Sequence, residues 1–283
     1  MQSQSDKRLL TIQDISCVGQ CSLTVALPVI SACGIECAVL PSSVLSNHTA
    51  QGFTGWTFRD LTDDMPLILE RWLKEDLSFD AFYTGYVSKA QIPLILEIMR
   101  KTARDGALRI IDPVMADNGK LYTGFDSDFP REMRKLCAGA DVIMPNMTEA
   151  AFLLEIPYVA EGYNQTFVEN VLKGLRKLGA KNAILTGVSF EKDKLGCASY
   201  NGSTFDYYFN PRIDVSMHGT GDAYASCVAG ALMRGKTLAQ ASALGADFVV
   251  ESIKATIDDK THWYGVKFEK ALPYLISRLN QAE

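Results

Sequence analysis

Phe79-Asp80-Ala81-Phe82-Tyr83, a helical stretch from Pro93 to Arg104 and then Leu108-Arg109-Ile110-Ile111 give strand, helix and strand in succession. Strands this far apart in sequence are not joined by a tight turn. A helix between them makes the pair parallel and lies across one face of the sheet. The same alternation continues in both directions. Upstream, Leu9-Leu10-Thr11-Ile12 reads as a strand, Leu23 to Cys33 as a helix and Cys37 to Leu40 as a strand, and Thr62 caps a helix that runs through Asp63 and Asp64 to Lys74. Downstream, Asp128 and Pro130 open a helix ending near Leu136, Val142-Ile143-Met144 is a strand, Thr148 to Leu154 and Thr166 to Leu178 are helices, and Ala183 to Leu185 is a strand. The fold class is therefore α/β, built on a mostly parallel sheet.

The rhythm changes once. Cys197 to Tyr200 and Thr204 to Phe209 flank Asn201-Gly202, which predicts an antiparallel hairpin with a type I′ turn. Helices follow from Asp222 to Arg234, closed by Gly235, from the Thr237 cap to Glu251, and from Lys270 to Leu279. No internal repeat, low-complexity stretch or linker divides the chain. The expectation is one domain over residues 9–283, preceded by a flexible polar segment, residues 1–8.

Composition narrows the function. The chain has 283 residues, of which 47% are apolar and 22% charged, so a disordered or fibrous protein is excluded. With 28 basic and 33 acidic side chains the net charge is -5, and no cluster of Lys or Arg offers nucleic acid a basic face. No apolar run reaches membrane-spanning length, and Met1 to Arg8 lacks the apolar core of a signal peptide, which predicts a cytoplasmic protein. Seven cysteines without a Cys-x-x-Cys pair, and three scattered histidines, argue against zinc and for buried thiols in a reducing compartment.

Chemistry concentrates in His218-Gly219-Thr220-Gly221-Asp222. A Gly-Thr-Gly segment at a helix start lets the backbone approach an anion, with unpaired N–H groups and the positive end of the helix dipole behind it. Asp222 alone could be an ordinary first-turn carboxylate. At the lip of an anion hole it makes more sense as a base beside a transferring phosphoryl group. Asp112-Pro113-Val114-Met115-Ala116-Asp117 and Pro145-Asn146-Met147-Thr148-Glu149 each follow a strand, so Asp112, Asp117, Asn146 and Glu149 emerge at the carboxyl ends of strands, where open α/β sheets bind ligands. Asp112 alone could be a turn residue and Glu149 half of a capping pattern. Together, acidic groups beside a phosphate site point to Mg²⁺. Neither GxxxxGK[ST] nor a GxGxxG after the first strand is present.

Asp112-Pro113-Val114-Met115, Pro145-Asn146 with Glu149, and Gly219-Thr220-Gly221-Asp222 resemble, in order and spacing, the ribokinase-like small-molecule kinases. Ser46-Asn47-His48-Thr49 and Tyr83-Thr84-Gly85-Tyr86 look like the pyridoxal kinase branch of that family, and the resemblance runs from about Leu9 to Arg234. It implies a three-layer αβα sandwich with a small antiparallel edge hairpin, usually a homodimer. It also implies ATP as co-substrate with Mg²⁺ and a monovalent cation such as K⁺. By position, Asp222 corresponds to the base for the 5′-hydroxymethyl group of a B6 vitamer, and Gly219, Thr220 and Gly221 to the anion hole. Asp112, Asn146, Glu149 and Thr186 correspond to the ATP-phosphate region, with Asp112, Asp117 and Glu149 near the metal. Asp14, Ser46, His48, Thr49 and Tyr86 correspond to the pocket for the pyridine ring.

The chain departs from that branch at two points. Asp14 follows Ile12-Gln13 where Ser is common, and Gly187 follows Thr186 where a second hydroxyl is frequent. Two other readings stay open: a hydroxymethylpyrimidine kinase, with the same fold and a similar flat acceptor, and a non-catalytic vitamin B6 binding protein.

Overall fold

The computed structural model describes residues 7–49 and 52–281. Parallel strands alternate with helices along most of the chain. In order these are β1 (Arg8–Ser16), α1 (Leu23–Ala32), β2 (Glu36–Leu45), β3 (Phe58–Asp60), α2 (Asp64–Lys74), β4 (Phe79–Thr84), α3 (Gln91–Thr102) and β5 (Ala103–Ile111). A small hairpin of β6 (Ala116–Asp117) and β7 (Lys120–Leu121) precedes α4 (Phe129–Cys137), β8 (Val142–Ile143), α5 (Met147–Leu154), α6 (Gln165–Lys177) and β9 (Asn182–Val188). The chain ends with β10 (Lys194–Tyr200), β11 (Phe205–Pro211), α7 (Thr220–Met233), α8 (Leu238–Lys254) and α9 (Phe268–Asn280).

Among the described residues nine strands form one sheet in the order β11-β10-β9-β8-β5-β4-β1-β2-β3. Strands β2, β1, β4, β5, β8 and β9 pair in parallel, while the β10–β11 hairpin on one edge and β3 on the other are antiparallel. The chain leaves β1 toward β2 and returns on its other side as β4, so the order switches at the carboxyl end of β1, where a crevice forms in open α/β sheets. Successive side chains of β1 enter opposite cores. Leu10 and Ile12 pack in the layer of α2 to α6, with Met65, Ile95, Met133, Ala150 and Leu172. Leu9 packs in the layer of α1 and α7 to α9, with Val29, Val228, Phe248 and Leu275. This is the expected three-layer sandwich.

Several boundaries differ from the sequence reading, each for a local reason. Of the expected free segment 1–8, residues 1–6 lie outside the described residues. Arg8 already belongs to β1, its N–H donating to Asp80 Oδ2 at 2.8 Å. Asp63 rather than Thr62 precedes α2, with no side-chain cap, because the Leu61 carbonyl already accepts from the Asp64 and Met65 N–H groups at 3.1 and 3.3 Å. The helix expected to reach Arg104 stops at Thr102, since Ala103 pairs back with Phe79 of β4. Asn201-Gly202 does not form the expected type I′ turn. The strands close at Tyr200 and Phe205, Asn201 Oδ1 accepts from the N–H groups of Ser203 and Thr204, and only Gly202 takes a positive φ. The two-residue Asn-Gly hairpin occurs instead at Asn118-Gly119, where both φ are positive (49° and 76°) and Asp117 pairs with Lys120. That hairpin and the three-residue β3 are too short to give a sequence period. All seven cysteines are free thiols, and no helix of the described residues is long and apolar enough to cross a membrane.

Candidate active site

The site is built on the carboxyl ends of β1, β4, β5, β8 and β9 together with the starts of α1, α5 and α7. Its centre is the first turn of α7. Gly219, the residue before the helix, has φ 79° and ψ 0°, a left-handed conformation that a side chain resists. A Cβ there would also lie 1.7 Å from the carbonyl oxygen of Gln20. At Gly221 an added Cβ would meet nothing within 4 Å, so this face of the turn is open. Thr220 turns its hydroxyl back to the carbonyl of Met217 at 3.2 Å. The first N–H groups of the helix, which have no intrahelical acceptor, are left to face the opening.

Asp222 sits in that turn. The residue is part-exposed, but its carboxyl is closely surrounded. Burial pushes its pKa up to about 7, the Ser22 N–H works against that rise, and the charge of Asp14 adds to it. Ser22 precedes α1 with φ 54° and ψ −132°, a backbone conformation unusual for a residue with a side chain. Two helix starts therefore meet at Asp222, and the strained residue of one presents its N–H to the carboxylate of the other. Burial holds the Cys21 thiol protonated, and the charges of Asp222 and Asp14 add to that effect.

Asp14 is buried and accepts from the Ser16 hydroxyl at 2.9 Å. Burial raises its pKa, while Ser22, Ser16 and His48 oppose the rise. His48 is buried, with Nε2 placed 2.9 Å from the carbonyl oxygen of Tyr264, which makes Nε2 the protonated nitrogen. Its ring packs edge-on to Phe53 at 4.9 Å and 5.0 Å from His218, and Phe53 packs on Trp263 at 4.8 Å. Tyr86 is half-buried with its ring 5.3 Å from Phe125, and burial and the charge of Asp14 raise its phenol. Asp14, His48 and Tyr86 are thus gathered at one rim. Ser46 is not directed there: its hydroxyl donates to Asn47 Oδ1 and accepts from the Thr57 N–H, holding the turn that leads to β3. Thr49 is exposed at the end of the same loop.

The acidic rim is more tightly organised. Asn146 and Glu149 form a reciprocal cap at the start of α5: Asn146 Oδ1 accepts from the Glu149 N–H, and Glu149 Oε2 accepts from the Asn146 N–H, both at 2.9 Å. Glu149 Oε1 accepts a further bond from the Met115 N–H at 3.1 Å, and Asn146 Nδ2 donates to the Ala116 carbonyl at 2.9 Å. These bonds tie the loop after β5 to the helix after β8. Asp112 stands beside Glu149, and burial together with the charges of Glu149 and Asp222 raises its pKa well above the carboxylate range. Burial raises the Glu149 pKa as well, to about 8, against the backbone N–H groups of Asn146, Met115 and Ala116 that oppose the rise, so the two carboxyls share a proton at neutral pH. Asp117 is exposed and turned toward Asn118, accepting from both its N–H and its Nδ2. Thr186 joins the rim through a bridge to Asn146, with its N–H on the Pro145 carbonyl at 3.0 Å.

Among the described residues no group of three or more His, Cys, Asp or Glu could hold a metal ion. The donor chemistry still suits a hard divalent cation bound partly by the protein. Asp112 offers a buried carboxyl whose proton a cation would replace, and Mg²⁺ takes one or two carboxylates with phosphate oxygens completing its shell.

Sequence reasoning did not identify Cys21, Ser22, Phe53, Trp263 or Tyr122, and it gave His218, quoted with the glycine turn, no role of its own. Tyr122 follows the Asn118-Gly119 hairpin, and its phenol lies in the field of Glu149, Asp117, Asp112 and Asp222. The Asn-Gly pair was the available signal for it. For Ser22 there was none, since a positive φ at serine leaves no mark in sequence.

Comparison with known proteins places the arrangement. Among solved structures, a protein of Bacteroides thetaiotaomicron assigned as a phosphomethylpyrimidine kinase superposes with a TM-score of 0.91 at 36% identity, covering 97% of this chain and 96% of that one. A second crystal form, with pyridoxal, gives 0.90 at 36%, covering 95% and 96%. Pyridoxal kinase from Lactobacillus plantarum gives 0.88 at 33%, covering 96% and 97%. Among sequence relatives, pyridoxal kinase of Dictyostelium discoideum is 26% identical, with 82% of this chain and 80% of the relative covered. The thiamine biosynthetic bifunctional enzyme TH1 of Arabidopsis thaliana is 28% identical over 82% of this chain, which spans only 44% of that enzyme. The fold and the motif order define a ribokinase-like small-molecule kinase. More narrowly, the pattern of the phosphomethylpyrimidine kinase family matches residues 36–266, and the chain belongs to that family.

Proposed function

We propose that the protein transfers the γ-phosphate of ATP to the 5′-hydroxymethyl group of a B6 vitamer, giving pyridoxal 5′-phosphate from pyridoxal. The carrying observation is Asp222: a carboxylate in the first turn of α7, beside an anion-binding glycine turn, with its pKa raised to about 7. A base in that range is substantially ionised at neutral pH and still basic enough to accept the hydroxyl proton as the O–P bond forms. The N–H groups of Gly219, Thr220 and Gly221 face the migrating phosphoryl, where fixed dipoles need no reorganisation during transfer. Asp112, Asn146, Glu149 and Thr186 order the ATP phosphates; Asp112 would hold Mg²⁺, with Glu149 and Asp117 as the other candidate carboxylates, and the ion would supply neutralisation of the phosphate charge. A monovalent cation, homodimerisation, a cytosolic site of action and one functional domain over residues 9–283 belong to the same reading.

Asp14, His48 and Tyr86 surround the ring of the acceptor, with Thr49 at the mouth and Ser46 holding the loop. A carboxylate at Asp14 favours a cationic amine or a ring N–H over a neutral ring. The Bacteroides relative with pyridoxal supports a B6 acceptor. The family match and the hydroxymethylpyrimidine/phosphomethylpyrimidine kinase of Bacillus subtilis, 27% identical over 78% of this chain, favour hydroxymethylpyrimidine as the second reading.

ATP-dependent phosphorylation of pyridoxal, pyridoxamine, pyridoxine and hydroxymethylpyrimidine, measured side by side with Mg²⁺, distinguishes them. Turnover of a B6 vitamer with the highest kcat/KM is the expected result. Turnover of hydroxymethylpyrimidine alone transfers the protein to the thiamine side, and tight binding of a vitamer with no turnover makes it a binding protein.

A further inference from the structure

The core directly behind the reaction centre is polar. Thr11 and Gln13 of β1, Tyr83 of β4 and Ser226 of α7 are all fully buried. Thr11 is paired with Tyr83 in the sheet, and Tyr83 packs in the layer that contains α7. Gln13 Nε2 donates to Thr11 Oγ1 at 2.7 Å. The Tyr83 hydroxyl faces both Ser226 and Gln13, yet among the described residues Gln13 Oε1, the Tyr83 hydroxyl and Ser226 Oγ make no hydrogen bond of full geometry. Three unsatisfied oxygens from three elements, converging on one spot, account for one another. A small rotation or one internal water completes the chain.

Two further observations point the same way. The buried hydroxyls of Thr102, Ser242 and Ser252 in helices, and of Thr256 in the turn after α8, each donate to the carbonyl four residues back. Ser226 does not, so its proton is available to Tyr83. At Gly85 an added Cβ would lie 2.3 Å from Gln13 Oε1, and its φ is not in the left-handed range. Glycine is needed there to make room for the Gln13 amide, which gives the Thr84-Gly85-Tyr86 turn a physical reason.

We propose that Ser226, Tyr83 and Gln13 form a buried hydrogen-bond chain that fixes the first turn of α7, and with it Asp222, against the sheet. Ser226 donates to the Tyr83 oxygen, Tyr83 donates to Gln13 Oε1, and Gln13 donates to Thr11. Ser226 is four residues after Asp222, so both project from one side of α7, and the chain reaches the base through one helical turn. Burial, with the charges of Asp112 and Asp222 adding to it, keeps Tyr83 the neutral phenol that can donate. These are positioning residues, and their role rests on Asp222 being the base.

The test compares wild type, Tyr83→Phe, Ser226→Ala and the double variant by steady-state kinetics and by amide hydrogen exchange over Ala223 to Ser226, with melting temperature as a check on folding. The expected result is a kcat about tenfold lower in each single variant with KM for the acceptor unchanged, exchange about tenfold faster in that turn, and a double variant no worse than either single. Unchanged kcat and exchange in both single variants overturns the proposal, as does a double variant whose losses multiply. Should the wild type phosphorylate none of the four acceptors, the kinase reading fails. The exchange data then decide the positioning role alone: faster exchange in the turn upholds it, and unchanged exchange overturns it.

Discussion

At the scale of single residues the account turns on carboxylates held away from their ordinary protonation. Asp222 is raised to about 7, chiefly by burial and further by Asp14. The base must be ionised to act, so kcat/KM falls as pH drops through the Asp222 pKa, with the midpoint of the acidic limb near 7. Asp14→Ser removes a neighbouring negative charge, stabilises the ionised base, and therefore moves that limb to lower pH. It also changes the ranking of kcat/KM among the three B6 vitamers. A pH–rate profile for both proteins checks the first expectation, and an unmoved limb would mean that Asp14 does not act on the base. Gly219 is constrained twice, by φ 79° and by the nearby Gln20 carbonyl. Gly219→Ala is expected to cost about 10²-fold in kcat/KM and a few degrees in melting temperature, both measurable on the purified variant.

At the scale of elements, the cap on α5 does two jobs. It ends four donor–acceptor searches locally and ties the loop after β5 to α5 through Met115 and Ala116. Glu149→Ala leaves the buried N–H groups of Met115 and Asn146 without acceptors, at about 1–3 kcal/mol each. Chemical denaturation is expected to show the combined loss, and a change below about 0.5 kcal/mol would mean that water replaces the carboxylate. The same element shows what was legible beforehand. The Asn146…Glu149 spacing is a local rule, so sequence marks it, and likewise the strand-end position of Asp112 and the helix-start position of Asp222. The convergence of α1 on α7 depends on long-range packing and on the positive φ of Ser22, neither of which leaves a sequence period. Two Asn-Gly pairs occur, and only the one at Asn118-Gly119 forms the tight hairpin. At Asn201 the side chain caps the following N–H groups and widens the turn. Dipeptide propensity could not choose between them.

At the scale of the whole molecule, the sheet brings carboxylates from β1, β5, α5 and α7 into one crevice, which costs stability when phosphate and cation are absent. The sign follows from the raised values. A carboxyl whose folded pKa exceeds its unfolded one adds stability that is fully present below the unfolded pKa and is lost as pH rises through the folded one. For Asp222 that window runs from 3.8 to about 7, and Asp112 is raised as well. The ligand-free protein is therefore expected to melt at a higher temperature near pH 5 than near about pH 8. Asp112→Asn should flatten that slope and raise the melting temperature at the higher pH while abolishing turnover, the usual exchange of function for stability at a charged site. A melting temperature that rises with pH over this range would contradict the charge assignment.

The central claim is that Asp222 is the base of a phosphoryl transfer. It is tested most directly by measuring kcat and acceptor binding, the latter by calorimetry, for wild type and Asp222→Asn under identical conditions. The account predicts a loss of about 10²-fold or more in kcat, with the acceptor still bound within a few-fold of wild type. Near-normal turnover in Asp222→Asn would remove this residue from the mechanism and contradict the account.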